Sequence, residues 1–305
     1  MPGKMPECPS SNFILAMKKV WIVALGLMAC SGENSDLFSS AKEKGIIDLK
    51  LEEASGLVAS AAHPGYFWTH NDSGNGAELF LIDSEANIAA TMPLGTVRNR
   101  DWEDITLGPG PEPGKTYVYV GDIGDNNAQY PYKVIYRLEE PAAIENKTIE
   151  HFDTLFIQLP DGTRDSEALM IDPVSSDMFI VSKREDSVRL YQFANTWKSG
   201  DTLTAELKIK MLYKLTVAAD ISVDGTEVLL KNYDHVYYWK REGSEAIANL
   251  LARNPIELKY KPEKQGEAIA WARDGSGYYT MSESTTHERA RLLFYKRKQI
   301  RHQNR

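Results

Sequence analysis

The chain has 305 residues, 42% of them hydrophobic and 26% charged, with a formal net charge of −8. This is ordinary globular composition, sufficient for one large all-β domain or two smaller domains. The acidic balance argues against a broad nucleic-acid footprint, so no nucleic-acid partner is expected.

The N-terminus reads as an address. Lys18 and Lys19 precede an apolar run over 20–29, too short to span a bilayer comfortably but suited to a signal peptide's hydrophobic region. The run ends in Leu27-Met28-Ala29-Cys30, which resembles the lipobox of bacterial lipoproteins. That resemblance implies lipidation of Cys30, cleavage before it, and a membrane partner through the lipid. MKKVWIVALGLMAC is a complete signal by itself, so the expected start is Met17. Residues 1–29 are then signal peptide, 30–45 a polar tether, 46–297 the folded domain and 298–305 a basic tail. Removing 1–29 takes away three lysines and one glutamate, which moves the net charge from −8 to −10. Ser31 after the cysteine favours the outer membrane in a two-membrane cell, facing periplasm or exterior. Cys8 leaves with the signal and Cys30 carries lipid, so no disulfide is expected and the fold stands on its core.

Beyond the tether one pattern recurs. An apolar strand opens on a carboxylate, a Gly/Pro/Asp turn reverses it, and an aromatic or β-branched strand returns to a polar cluster. The openings fall at Glu53, Glu103, Glu167, near Val217, and at Glu267. Each hairpin is followed by a third strand (78–82, 132–138, 188–193, 235–239, 291–295). A fourth strand follows in all but the last unit (88–92, 148–159, 206–215, 256–260). Four strands per unit at a near-constant period of about 50 residues is propeller grammar. The chain is therefore expected to be all-β, a single propeller of five four-stranded blades. The last unit lacks a fourth strand, and residues 46–51 are spare. They are expected to complete the last blade and close the ring, which removes an open sheet edge. One helical excursion is expected, over 243–253.

In such a fold the start of each first strand and the end of each second strand share one face. That collects Glu53, Glu103, Glu167 and Glu267 as candidate metal ligands at the channel mouth. It also collects the loops carrying His70, Asp72, Asp122 and Asp125 as candidate catalytic groups, with Asn71, Asn126, Lys183, Arg184 and Asn232 as candidate ligand-binding groups. The fourth blade departs from the rule, since Val217 stands where the carboxylate should be. Glutamates at one level repel one another, so they must be protonated, paired with cations or bound to metal. Carboxylates, Asn and backbone carbonyls suit a hard cation such as Ca²⁺. The competing reading makes each glutamate a structural cap on the backbone N–H groups of the next blade.

Other motifs fail on inspection. GPEPGKT over 110–116 mimics a phosphate loop, but Pro109 replaces the required first glycine and a strand follows. No HExxH or GxSxG occurs, and no two histidines have zinc-ligand spacing. The combination EASGL, HNDSG, DWEDI and GDIGDN resembles an uncharacterised group of secreted bacterial β-propeller lipoproteins, over roughly 52–295. That resemblance implies a fold and no activity. More distantly, acidic residues at channel-lining strand starts are similar to those of calcium-dependent propellers, which include nucleotidases, phytases and lactonases. Three readings follow. One is a lipid-anchored envelope propeller binding an unidentified small-molecule or protein ligand, with Ca²⁺ as the candidate cofactor. Another is a metal-dependent hydrolase of a phosphorylated or sugar-derived substrate, with Glu or Asp as base and His70 assisting. The third is an interaction scaffold in the envelope.

Overall fold

The computed structural model describes residues 36–299, together with positions 1 and 3. Cys30 and the signal region lie outside the described residues. The chain opens with β1 (Lys42–Ile46) and a single 3₁₀ turn (Leu49–Leu51). Blade 1 follows as β2 (Ala54–Ala59), β3 (Tyr66–Asn71), β4 (Glu78–Asp83) and β5 (Ile88–Pro93). Blade 2 is β6 (Trp102–Pro109), β7 (Thr116–Asp122), β8 (Lys133–Glu139) and β9 (Asp153–Gln158). Blade 3 begins with β10 (Ser166–Ile171), β11 (Met178–Ser182) and β12 (Val188–Phe193). The short β13 (Thr202–Thr204) then pairs in parallel with β9, giving blade 2 a fifth strand, before β14 (Glu206–Met211) completes blade 3. Blade 4 is β15 (Thr216–Ile221), β16 (Glu227–Asn232), β17 (Val236–Lys240) and β18 (Ile256–Leu258), with helix α1 (Ile247–Leu251) inserted as expected. Blade 5 is β19 (Ala268–Trp271), β20 (Gly277–Met281) and β21 (Arg291–Lys296), closed by β1. The protein is a five-bladed β-propeller.

The inner strands β2, β6, β10, β15 and β19 pack in chain order, and β19 returns to β2. Successive side chains of a strand point to opposite faces, so each blade feeds two cores. In blade 1, Leu57, Ala59 and Phe67 join Ala270, Tyr279 and Leu292 on the blade 5 side. Val58 and Trp68 join Val118 and Val120 on the blade 2 side. Five such clusters fill the five gaps. Burial on both faces is why the inner strands read as nearly unbroken apolar runs.

The ring closes through an N-terminal strand, but one that lies earlier than expected. The paired residues run from Lys42↔Phe294 to Ile46↔Arg291, whereas 47–51 forms the 3₁₀ turn and its approach. Ile47 and Leu51 are fully buried between blades 5 and 1, which accounts for their apolar signal without strand pairing. The real strand, KEKGI, is an outer one with charged residues facing solvent, so no hydrophobic alternation marks it. The last part of the expected tether, from Asp36, instead packs on the blades. Phe38 is buried against Trp271 and Tyr278, and Ser39 N donates to Lys296 O at 2.8 Å.

Candidate functional site at the channel mouth

The inner hairpins carry a repeated irregularity. In blade 2 the register runs Trp102↔Asp122 and then Asp104↔Gly121, leaving Glu103 as the extra residue of a β-bulge. Glu167 in blade 3 and Val217 in blade 4 hold the same place. Glu267 directly precedes β19 in blade 5. A bulge re-aims its side chain, and bulges cluster beside functional sites for that reason. In blade 1 the bulged residue is Gly56, not Glu53. Matching Glu-Ala at 53–54 to Glu-Ala at 167–168 and 267–268 put the reading three residues out of step. Glu53 is exposed and its carboxylate accepts from Asn75 Nδ2. Gly56 has φ +71°, and a Cβ there would meet His70 Nε2 at 2.9 Å. The acidic ring thus has three glutamates rather than four.

Blade 1 contributes its carboxylate from the other strand. Asp72, just past β3, brings one oxygen within 4.8 Å of oxygens of Glu103 and Glu267. Oxygens of Glu103, Asp165 and Glu167 likewise lie within 4.8 Å of one another, so Glu103 belongs to both sets. Lys183 lies among them, its Nζ 2.7 Å from Glu167 Oε1 and 3.6 Å from Glu267 Oε1. Tyr233 OH donates to Glu267 Oε1. The second Glu167 oxygen is buried without a hydrogen-bond partner.

Burial dominates the electrostatics, because it penalises the charged form of a carboxylate. It pushes Glu167 up to about 8 and Asp72 up to about 7, with Glu267 adding repulsion in both cases. Burial, then Glu167 and Asp72, raise Glu103 well above the carboxylate range. Glu283 is pushed up to about 9 by burial and then by Glu267. Burial opposes the charge on Lys183, but Glu167 and Glu267 outweigh it and raise this lysine. The cluster therefore holds its charge down in two ways, by protonation and by buried lysines, Lys183 within it and Lys231 beside Glu267.

The remaining predicted site residues divide. Asn126 accepts from Arg184 Nη2, and Arg184 Nε lies 2.5 Å from Asp165 Oδ2, so these two flank the cluster. Asp125 accepts from Gln129 N and Tyr130 N at 2.7 and 2.9 Å, and Asn232 Oδ1 accepts from His235 N at 2.7 Å; both cap their own loops. Asn71 Nδ2 donates to Lys50 O at 2.7 Å. Asp122 is covered by Arg100, whose Nε lies 3.0 Å from Oδ1; burial pushes this acid up to about 6. His70 is fully buried, set edge-on against Trp102, and burial pushes it down to about 4. It lies under Gly56 and away from solvent.

Three acids outside the candidate set complete the cluster, Glu283 beside Glu267 and two aspartates. Asp101 and Asp165 stand two residues before Glu103 and Glu167, and both are buried. An Asp-x-Glu spacing in blades 2 and 3 was the available signal. Gly124 was another: a Cβ there would lie 2.2 Å from Glu103 Oε1 and 2.5 Å from Asp101 Cγ, so only glycine leaves room for these carboxylates. Capping of neighbouring blades does occur, but by aspartates deeper in the channel. Asp104 accepts from Ile105 N at 2.9 Å and Leu169 N at 2.8 Å, and Asp220 from Trp271 N at 2.8 Å.

No family model and no curated protein matches the chain. Among solved structures, a crystal structure of a nidogen–laminin complex is similar over 75% of this chain and 72% of that one. The TM-score is 0.44 at 10% identity, a likeness that carries no activity or partner across.

Proposed function

We propose that this protein is a lipid-anchored envelope propeller whose acidic mouth binds a divalent cation, Ca²⁺ by donor type, and through it a ligand. The observation that carries the reading is the convergence of Asp72, Glu103 and Glu267 within metal-ligand reach, from three blades. All-oxygen donors at this spacing suit a hard cation with bonds of about 2.3–2.6 Å. The capping duty offered as the alternative for the glutamates is discharged by Asp104 and Asp220. Anchoring rests on the lipobox resemblance at Cys30. Among the described residues no helix is long and apolar enough to cross a membrane.

Thermal melts test the cation. Binding to the folded state alone stabilises by RT ln(1 + [L]/Kd), about 2.7 kcal/mol at a hundredfold excess over Kd. Ca²⁺ should raise the Tm of the wild type, a chelator should lower it, and Glu103→Gln should show neither response. Equal melts with Ca²⁺ and chelator would remove the reading.

One observation favours a hydrolase as a second reading. Asp72 is only half-buried and its carboxyl is pushed up to about 7, where a general base works near neutral pH. Cation-dependent turnover of a phosphomonoester, lost in Asp72→Asn, would support it. No turnover with Ca²⁺, Mg²⁺ or Mn²⁺ would leave binding alone.

A further inference from the structure

The mouth gathers its acids in two overlapping sets. Asp72 and Glu267 lie within reach of Glu103 on one side, and Asp165 and Glu167 on the other. A single ion held by the first set leaves Asp165 and Glu167 to Lys183, Arg184 and the more distant Lys133, with Asp165 Oδ1 accepting from Asp125 N at 2.8 Å. Lys183 engages Glu167 Oε1, and Glu167 Oε2 remains buried with no partner. A buried oxygen of that kind costs free energy unless something binds it. Glu103 is the one residue common to both sets, and a carboxylate has two oxygens with which to serve two ions. Its freedom to sit there depends on Gly124, whose missing Cβ leaves the space that Glu103 Oε1 and Asp101 occupy.

Resting on the single-cation reading above, we propose that the mouth holds a pair of divalent cations bridged by Glu103. Asp72 and Glu267 complete one set, and Asp165 and Glu167 the other. Two ions sharing a carboxylate lie roughly 3.5–4 Å apart, the spacing at which one phosphoryl group can bind both. The ligand class implied is an anion with two or more oxygens on one centre. Lys183 then sits between the sets as a fixed third positive charge, close enough to limit affinity for both ions.

Stoichiometry decides. The full chain would be stripped with chelator and titrated with Ca²⁺ alone by calorimetry and equilibrium dialysis. The expected result is two ions per chain, one in Asp72→Asn, one in Glu167→Gln, and none in Glu103→Gln. Loading with Tb³⁺ and Eu³⁺ together should give energy transfer within a single chain, a readout that needs no variant to fold. One ion per wild-type chain would overturn the pair and leave the single-cation reading standing. No ion would overturn both. Two ions that survive Glu103→Gln would show sites elsewhere and also overturn both.

Discussion

At the scale of single residues, the fold keeps buried acids for two different purposes. Asp104 and Asp220 spend their oxygens on backbone N–H groups of the next blades. Glu103 and Glu167 share a crowded mouth in which Lys183 is the close positive group. Replacing Lys183 with Met should cost the metal-free protein about 3–5 kcal/mol, because it strands buried carboxylates. The same change should strengthen Ca²⁺ binding, read by calorimetry, since a competing charge is gone. The pH dependence follows from the raised acids. Glu167, Asp72 and Glu283 bind protons more tightly folded than unfolded, so their contribution is full below the ordinary carboxylate range. It is lost progressively as pH rises from that range through about 7 to about 9, above which these groups are ionised in the fold as well. His70 works the other way, with its contribution lost as pH falls from 6.5 towards about 4. Metal-free Tm should therefore decline from about pH 5 to about pH 9, partly offset by His70 below 6.5, with a shallower decline in Glu167→Gln and in wild type with Ca²⁺. A flat metal-free profile would contradict the crowding. Residue types were legible in sequence here, but not their registration. Glu-Ala recurs at 53, 167 and 267, yet only pairing shows that Gly56 holds the bulge in blade 1. Gly124 matters through its contact with Asp101 and Glu103 of the same blade, and Asp165 through the bond it accepts from Asp125 N across blades; spacing flags these residues but not those contacts.

At the scale of elements, the blades were readable because each inner strand is buried on both faces and largely apolar, and each hairpin turns at Gly, Pro or Asp. The seam was not, because β1 is an outer strand whose pairing with β21 depends on backbone geometry more than on apolar side chains. Gly45 shows this. A Cβ there would fall 1.8 Å from Glu85 O in the blade 1 turn, so glycine lets the closing strand pass against its neighbour. Gly45→Ala should cost about 1–3 kcal/mol by overpacking, seen as a Tm several degrees lower. Deleting residues 36–46 should do far more. It uncovers the edge of β21 and the pocket filled by Phe38, and aggregation is the expected outcome. A truncated chain that melts like the wild type would show that β1 contributes nothing to closure.

At the scale of the whole molecule, the five-bladed ring sets the radius at which loops from different blades meet. Asp72, Glu103, Glu167 and Glu267 come from four blades and are far apart in sequence, but closure brings their oxygens together. The polar end of the channel is thus a product of the ring, which is why the mouth's chemistry was visible only as a list of candidates before the architecture was known. The anchor is a separate matter, and it is tested by fractionation: Cys30→Ala should leave the membrane fraction or accumulate as precursor, and wild type recovered as soluble, unlipidated chain would contradict it. The cation is tested most directly by anomalous diffraction from crystals of the protein soaked in Ca²⁺. The expected result is an anomalous peak within coordination distance of Asp72, Glu103 and Glu267, absent in Glu103→Gln. A map with no peak at the mouth, and Lys183 alone among the carboxylates, would contradict the central claim.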